Sequence, residues 1–224
     1  MSGWGTYAAA WALFVFTHAV PVRPPVKPWL VARLGKAGYG IIYSALSLAV
    51  LAWLFVAAAR APHVVLWSMP TGAHWIVLTA MLLAMLLLAL TLGRPNPFSF
   101  GGAGNADFIP EQPEVIRLTR HPVLVALGLW AGAHAVVNGT LAHALMFGGF
   151  TAFAILGTVL IDRRKRRMMG VHVWQDLRER TRGARLTLPP KAGLRVTLGL
   201  GALVGVIAGH QWLSGVIIWP RFLP

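Results

Sequence analysis

Residues 73–92 read AHWIVLTAMLLAMLLLALTL and decide the fold class, because they contain no Asp, Glu, Lys or Arg. A helix needs about 20 predominantly apolar residues to cross the hydrocarbon core of a bilayer. Five further stretches have the same character, at residues 4–20, 38–59, 123–137, 140–161 and 196–219. The sequence therefore predicts an all-α integral membrane bundle of about six transmembrane helices.

The composition supports a single membrane domain over residues 1–224. Hydrophobic residues make up 57% of the chain and charged residues only 12%, whereas a soluble domain has about 25% charged residues. The chain has no cysteine, which excludes disulfides, iron–sulfur clusters and covalent haem attachment. Any metal would have to be held by His, Met, carboxylate or backbone oxygen.

The formal charge of +14 is concentrated in three connections between the predicted helices. The first connection carries four basic residues, the second carries three, and eleven lie between positions 163 and 195. The opposite side keeps only Arg60 and Arg221. Because Lys and Arg mark cytoplasmic loops, the three connections are predicted to be cytoplasmic and both termini to lie outside. We expect this charge to meet anionic lipid headgroups and not nucleic acid.

Two of the basic connections have a predicted structure of their own. Residues 94–119 are rich in Pro and Gly, which is typical of an irregular loop. Residues 162–185 resemble a basic amphipathic helix, with Trp174 and Leu177 on one side. Such a helix is expected to rest on anionic headgroups, and a partner-binding helix is the alternative.

Glycines recur at every fourth position in two of the predicted helices. They are Gly128 and Gly132 in the fourth, and Gly201, Gly205 and Gly209 in the last. This spacing lets helix backbones approach closely, so it predicts tight packing at both places.

Histidines are the polar residues that lie within the apolar segments. His18 lies near the end of the first segment, His134 toward the outer part of the fourth, and His210 within the last. None of the six carboxylates lies inside a segment, and only Asp162 touches the end of one, which argues against a carboxylate relay. Neutral imidazole is a good ligand for haem iron. The alternative is that each imidazole is hydrogen-bonded to a carbonyl of a neighbouring helix.

The sequence Arg120-His121-Pro122 opens the fourth segment. Proline is well tolerated in the first turn of a helix, where its missing N–H has no partner to lose. Arg120 and His121 ahead of that turn form a helix start that attracts anions. It predicts recognition of a carboxylate or phosphate of a cofactor or substrate, and a contact between Arg120 and lipid phosphate is the alternative.

Taken together, short motifs along nearly the whole chain resemble the NnrU family of bacterial membrane proteins. The matching residues are Phe16-Thr-His18, Gly38-Tyr-Gly40, Pro95-Asn-Pro97, Arg117-Leu-Thr-Arg-His-Pro122, Ala133-His134, Asn138-Gly139, Phe147-Gly-Gly149 and Asp162-Arg-Arg-Lys-Arg166. The family is named for an association with nitrite and nitric oxide reduction in denitrifying bacteria. The resemblance implies a protein of the bacterial inner membrane, with periplasmic termini, that acts in nitrogen-oxide metabolism.

NnrU proteins are also similar to the plant enzyme that isomerises a cis double bond in zeta-carotene, a membrane haem b protein. This similarity implies that His18 and His134 are axial ligands of a haem b, and that the substrate of a haem-dependent isomerase would be apolar or lipid-like. Ala131 stands where the plant enzyme has a cysteine. Depth along the helices instead pairs His134 more easily with His210, and His18 with His121.

Two other functions stay open at the level of sequence. A helix opened by Arg120-His121-Pro122, followed by a hairpin and a basic tail, is also the layout of isoprenylcysteine and phospholipid methyltransferases. In those enzymes the motif helps to bind S-adenosylmethionine, but here Asp162 is followed by five basic residues where acidic ones are expected. The other alternative is a non-enzymatic assembly factor for respiratory reductases.

Overall fold

The structure, a computed structural model, describes residues 3–100 and 102–215. Over these residues the chain forms α-helices joined by loops and two short 3₁₀ turns, with no β-strand, so the all-α prediction is confirmed there. The helices are α1 Gly3–Ala19, α2 Val26–Ala59, α3 Ala73–Thr91, α4 Pro122–Val137, α5 Leu141–Met169, α6 Val171–Gly183 and α7 Ala192–Ser214.

Four of these helices, α2, α3, α5 and α7, are long and apolar enough to cross a membrane. This is the pattern of an integral membrane protein. About six spans were predicted, and four of them are confirmed as candidate spans. The other two, α1 and α4, have 17 and 16 residues, fewer than the roughly 20 that a span needs. The last predicted segment continues to residue 219, and its residues 216–219 lie outside the described part of the chain.

Three helices extend beyond the predicted apolar segments into the basic connections, and α7 does so by beginning at Ala192 instead of 196. α2 begins at Val26 instead of 38, and its helical geometry is interrupted at Gly35, where φ is 70°; glycine reaches this conformation without a Cβ penalty. α5 continues past 161 to Met169, because Arg and Lys are good helix formers. The basic run after Asp162 is therefore helical, and α5 ends ahead of Gly170, where φ is 86°.

The chain divides into two compact units. The first comprises Met1–Ser68 with Gly139–Met146, and the second comprises Met69–Asn138 with Phe147–Pro224. In the first unit α1 packs on α2, and the buried Tyr7 hydroxyl donates to the carbonyl oxygen of Ala142 at 2.8 Å. In the second unit α3 packs against both α4 and α7.

A short antiparallel pairing lies within the first unit, between residues 64–67 and 139–141. The Leu66 N–H donates to the Gly139 carbonyl at 2.7 Å, and the Leu141 N–H donates to the Val64 carbonyl at 2.8 Å. A Cβ added to Gly139 would overlap the carbonyl oxygen of Trp67. This close approach explains why a glycine follows Asn138.

The loop 94–119 in the second unit is irregular, as predicted, and it is anchored at several points. The Arg94 guanidinium donates to both carboxylate oxygens of Glu114, at 3.0 Å and 2.5 Å. Phe98 and Ile116 of the loop form a buried cluster with Trp174 of α6, and Leu177 packs against this cluster. The part of α6 that carries Trp174 and Leu177 is therefore covered by protein, whereas Val171 and Val173 at its start are exposed.

α4 contacts α5 at Gly128 and Gly132, but an added Cβ would fit at both positions, so the contact does not require glycine. In α7 a different glycine makes a tight contact. A Cβ on Gly128 would lie 3.7 Å from the Ala154 Cβ, and one on Gly132 would lie 3.8 Å from the Thr151 hydroxyl oxygen. At Gly201, Gly205 and Gly209 an added Cβ would meet no atom of the described chain within 4 Å.

Gly199 is the point at which α7 meets α3. A Cβ there would lie 2.8 Å from the Ala89 Cβ and 3.3 Å from the Met85 carbonyl oxygen. Nearby, the Arg195 guanidinium donates to the carbonyl oxygens of Ala89 and Leu92, at 3.0 Å and 3.2 Å. A cation at the carboxyl end of α3 satisfies terminal carbonyls and interacts favourably with the helix dipole.

We predict opposite effects of the same substitution at two positions of α7. Gly201→Ala should raise the free energy of unfolding slightly, because Ala exceeds Gly in helix propensity by up to about 1 kcal/mol. Gly199→Ala should lower it by about 1–2 kcal/mol, because overpacking outweighs propensity. Thermal unfolding of both variants in one detergent tests this, and equal shifts would contradict the α3–α7 contact.

Candidate functional site

The carboxylate of Asp162 on α5 is bonded to two residues that precede α4. Its Oδ1 lies 3.0 Å from the His121 Nε2, and its Oδ2 lies 2.8 Å from the Arg120 Nη2. The His121 Nδ1 in turn lies 3.0 Å from the Ser99 hydroxyl oxygen. Since an ionised carboxylate only accepts, His121 donates from Nε2 and accepts at Nδ1 from Ser99.

His121 is buried, at 4% exposure, and lies just ahead of the first residue of α4. Burial lowers the pKa of His121, against the opposing effect of the Asp162 charge, so the ring is neutral at pH 7. Both ring nitrogens are engaged in hydrogen bonds. His121 therefore holds its neighbours in position and is poorly placed to ligate a metal.

Asn96 positions this cluster from the loop side. It lies between Pro95 and Pro97, is 2% exposed, and donates from Nδ2 to the Arg120 carbonyl oxygen at 3.0 Å. Its Oδ1 accepts the Phe98 N–H at 3.1 Å. The flanking prolines have no N–H to donate. The Asn96 side chain instead donates to the backbone of Arg120 and so holds the residues ahead of α4 in place.

A cleft of about 610 Å³ opens beside this cluster, between α5, α6 and the residues that precede α4. Four guanidinium groups and the carboxylate of Asp162 line it, together with His121 and three threonines. We call this the arginine cleft, after Arg117, Arg120, Arg178 and Arg182. An excess of planar, multivalent donors of this kind suits an anionic ligand.

The Trp174 ring lies close to two arginines of the cleft and to Arg166 of α5. The guanidinium carbons of Arg166, Arg178 and Arg120 lie 4.1, 5.4 and 5.6 Å from its ring centroid. Guanidinium groups are attracted to an indole face at such distances. The buried Trp174 ring thus helps to hold arginines from α5, α6 and the start of α4 close to one another.

A second pair of predicted residues also meets in the second unit. The imidazole rings of His134 and His210 have centroids 6.4 Å apart, with an interplanar angle of 27°. The His134 Nδ1 donates to the Trp130 carbonyl oxygen at 2.7 Å. The Ser214 hydroxyl donates to the His210 carbonyl oxygen, so its oxygen accepts from the His210 Nδ1, 2.9 Å away.

These bonds fix the same tautomer in both rings. With the proton on Nδ1, the Nε2 carries the lone pair that ligates a metal. Metal-ligating histidines commonly donate from their other nitrogen to a carbonyl or similar acceptor. Aromatic residues surround the pair, with the Trp130 and Phe147 rings centred 5.6 Å and 5.3 Å from the His134 ring.

His18 lies in the first unit, whereas His134 lies in the second. Its Nδ1 donates to the Phe14 carbonyl oxygen at 2.8 Å, which gives it the same tautomer as His134. Its ring stacks on Phe14, with centroids 4.2 Å apart. Among the described residues no group of three or more His, Asp or Glu side chains could hold a metal ion, so imidazole pairs are the relevant geometry.

Sequence reasoning missed four residues that build the cluster and the cleft: Ser99, Asn96, Asp162 and Arg178. Asp162 had a usable signal, since it is the one carboxylate that touches an apolar segment, and polar groups at such depth are costly unless paired. Asn96 had one in the Pro95-Asn-Pro97 motif. Ser99 and Arg178 carried no signal that distinguished them from other serines and arginines.

We predict that Asp162→Asn lowers the free energy of unfolding by about 2 kcal/mol, because Arg120 and His121 lose a charged acceptor. Asp176→Asn is the matched control. Asp176 is exposed and contacts Arg180 at 3.4 Å, so its change should stay within about 0.5 kcal/mol. Thermal unfolding of both variants decides, and similar losses would show that Asp162 does not anchor the cluster.

Comparison with known proteins agrees with the motifs. The family model described as NnrU protein matches residues 6–218, nearly the whole chain. Neither the curated proteins nor the solved structures give a match. Since the family model covers far more than half of the sequence, the chain belongs to the NnrU family.

Proposed function

We propose that this NnrU protein binds haem b through the imidazoles of His134 and His210, and acts as a haem protein of the bacterial inner membrane. The observation that carries the proposal is the His134–His210 pair, whose ring centroids are 6.4 Å apart. Nitrogen ligands lie about 2 Å from a transition metal. Each of the two rings would hold the iron through its Nε2, because its Nδ1 is engaged in a hydrogen bond.

The surroundings of the pair also suit haem. The Nδ1 of each ring is already held by an acceptor in its own helix, which orients the ring and increases the basicity of the ligating nitrogen. The neighbouring Trp130, Phe147 and Phe150 are large and aromatic. A chain without cysteine holds haem by such non-covalent ligation.

Bound haem would supply one-electron redox chemistry to a site inside the bilayer. The family name favours nitrogen-oxide metabolism as the setting, and the likeness to the carotene enzyme favours isomerisation of an apolar substrate. In either case the chain's own contribution is to orient two neutral imidazoles and to surround them with apolar side chains.

The absorption spectrum of the purified protein, oxidised and reduced, tests the proposal. We expect a haem Soret band in the wild type, and loss of most of it in both His134→Ala and His210→Ala. The control is His172→Ala, since His172 is exposed on α6 and should keep the spectrum.

His18→Ala distinguishes the two possible pairs. Loss of the Soret band in His18→Ala, with a normal band in His210→Ala, would establish the pairing of His18 with His134 that the resemblance implies. A colourless wild type that cannot be loaded with haem would contradict both pairings. The histidines would then serve as hydrogen-bonding groups, worth about 1 kcal/mol each.

A methyltransferase function is the second candidate, and the arginine cleft is the observation that favours it. Arg120 and His121 of the Arg120-His121-Pro122 motif line this cleft. In the methyltransferases with the same layout, this motif helps to bind the cofactor. Binding of S-adenosylmethionine by a colourless protein would support that function. A protein that binds neither group would favour a role in assembling respiratory reductases.

We also propose that α1 and α4 complete a set of six spans, and that α6 lies along the cytoplasmic headgroups. α1 and α4 would measure about 24–26 Å at 1.5 Å per residue. Helices of this length can cross a bilayer that is locally thin if they are not tilted. The charge asymmetry of the connections supports this topology.

Reporter fusions test the topology. Fusions after Arg33, after Pro110 and within 163–190 should report cytoplasm, because these sites border the basic connections. Fusions near His63 and at the carboxyl terminus should report periplasm. Opposite signals at two or more sites would overturn the arrangement.

A further inference from the structure

We propose that the arginine cleft binds a phosphate group, held by the guanidinium groups of Arg120, ahead of α4, and Arg178, on α6. This site is separate from the proposed haem ligands, and the proposal does not depend on them. It is carried by three features of the cleft: its excess charge, its buried donors, and the apolar surface at its edge.

The charge of the cleft is strongly unbalanced. Four guanidinium groups line it against one carboxylate, and with His121 neutral the lining carries a net charge of about +3. Both oxygens of Asp162 already accept hydrogen bonds from His121 and Arg120. Among the described residues, the ion pairs of this carboxylate are with Arg120 and His121, and Arg178 and Arg182 of α6 make none with it.

Arg178 experiences this imbalance directly. Burial lowers its pKa, and so do the positive charges of Arg120, Arg182 and Arg166, with Asp162 opposing them. Like charges crowded in a partly buried site repel one another. A multivalent anion between them would remove that repulsion, and phosphate matches the guanidinium fork better than a single carboxylate charge does.

Buried donors supply the second feature. The Nε atoms of Arg120 and Arg178 and the Nε1 of Trp174 are buried, with no hydrogen-bond acceptor in the described part of the chain. Trp174 is completely buried. An unsatisfied buried donor costs about 1–3 kcal/mol, so donors of this kind are rare unless they serve a function. Two of the three belong to arginines that line the cleft, Arg120 and Arg178.

The apolar edge of the cleft is the third feature. Thr158 and Val159 of α5 line it, and Val159 is 45% exposed, next to Leu156 and Ile155 at 60% and 61%. α5 is one of the helices able to cross a membrane. A phosphate in the cleft could therefore belong to a lipid whose chains lie along α5, or to a soluble phosphorylated molecule.

Binding measurements on the full chain, purified in maltoside detergent and depleted of lipid, test the proposal. Inorganic pyrophosphate is titrated by calorimetry, and retention of added phosphatidylglycerol is measured by native mass spectrometry. We expect the wild type to bind at least one of these probes. Binding of phosphatidylglycerol alone identifies a lipid headgroup, and binding of pyrophosphate identifies a site open to soluble phosphates.

The variants are Arg120→Gln and Arg178→Gln, each of which should weaken binding about tenfold or more, as expected for a charge-assisted hydrogen bond. Arg180→Gln is the matched control, because Arg180 lies on the same helix but pairs with Glu111 and Asp176 at the surface. Its affinity should stay near that of the wild type at equal ionic strength.

Arg178→Lys keeps the charge and removes the Nε donor, so it separates charge from hydrogen bonding and should show intermediate binding. Thermal unfolding with and without the probe identifies folded variants, since a ligand that binds the native state raises the midpoint. The proposal is overturned if the wild type binds neither probe, or if Arg178→Gln and Arg180→Gln weaken binding equally.

Discussion

The second unit depends at its polar end on the Asp162 carboxylate, which joins α5 to the residues ahead of α4. One oxygen accepts from His121 and the other from Arg120, so one side chain sets the tautomer of an imidazole and the direction of a guanidinium. The His121 tautomer in turn requires Ser99 to donate to Nδ1. Both oxygens of this carboxylate are engaged, and Arg178 and Arg182 of α6 line the cleft without an ion pair in the described part of the chain.

Hydropathy predicted the positions of the apolar helices well, but not the ends of those that continue into basic sequence. The segments 73–92 and 123–137 agree with α3 and α4 to within one residue at each end, since a glycine follows α3 and a proline opens α4. The ends of α2 and α5 were missed because hydropathy detects the residues that can lie within a bilayer, whereas a helix can continue beyond them. Arg and Lys continue a helix readily, while glycines end or interrupt it.

The site was only partly predictable for a related reason. Arg120 and His121 were identified from their place at a helix start, but Asp162 lies 41 residues beyond His121 in sequence, and the two meet only through the packing of α4 against α5. Glycine spacing identified the face of α4 that contacts α5, although a Cβ would also fit there. In α7 the same spacing misled, because it carries no information about which face a neighbouring helix covers, and Gly199 makes the contact instead.

His121, just ahead of α4, and His134, within it, show how one residue type acquires different roles. At the start of α4, His121 meets a carboxylate and a hydroxyl, which engage both nitrogens. Within the helix, His134 meets a backbone carbonyl that can only accept, which directs the lone pair of Nε2 outward. Sequence identifies both imidazoles, but only the neighbouring acceptor decides which nitrogen can bind a metal.

The spacing of these histidines also limits how the two proposed sites can influence each other. They are 13 residues apart (134 − 121), or about 20 Å along the helix. At that distance, with an effective dielectric constant of about 20, a unit charge in the cleft would change the energy of a unit charge on a metal held by His134 by about 0.8 kcal/mol. Direct electrostatics would therefore change a redox equilibrium only several-fold per charge. Any stronger coupling would have to pass through movement of α4. Asp162 holds the residues ahead of this helix through Arg120 and His121, so a ligand that changes these bonds is the most direct way to move it.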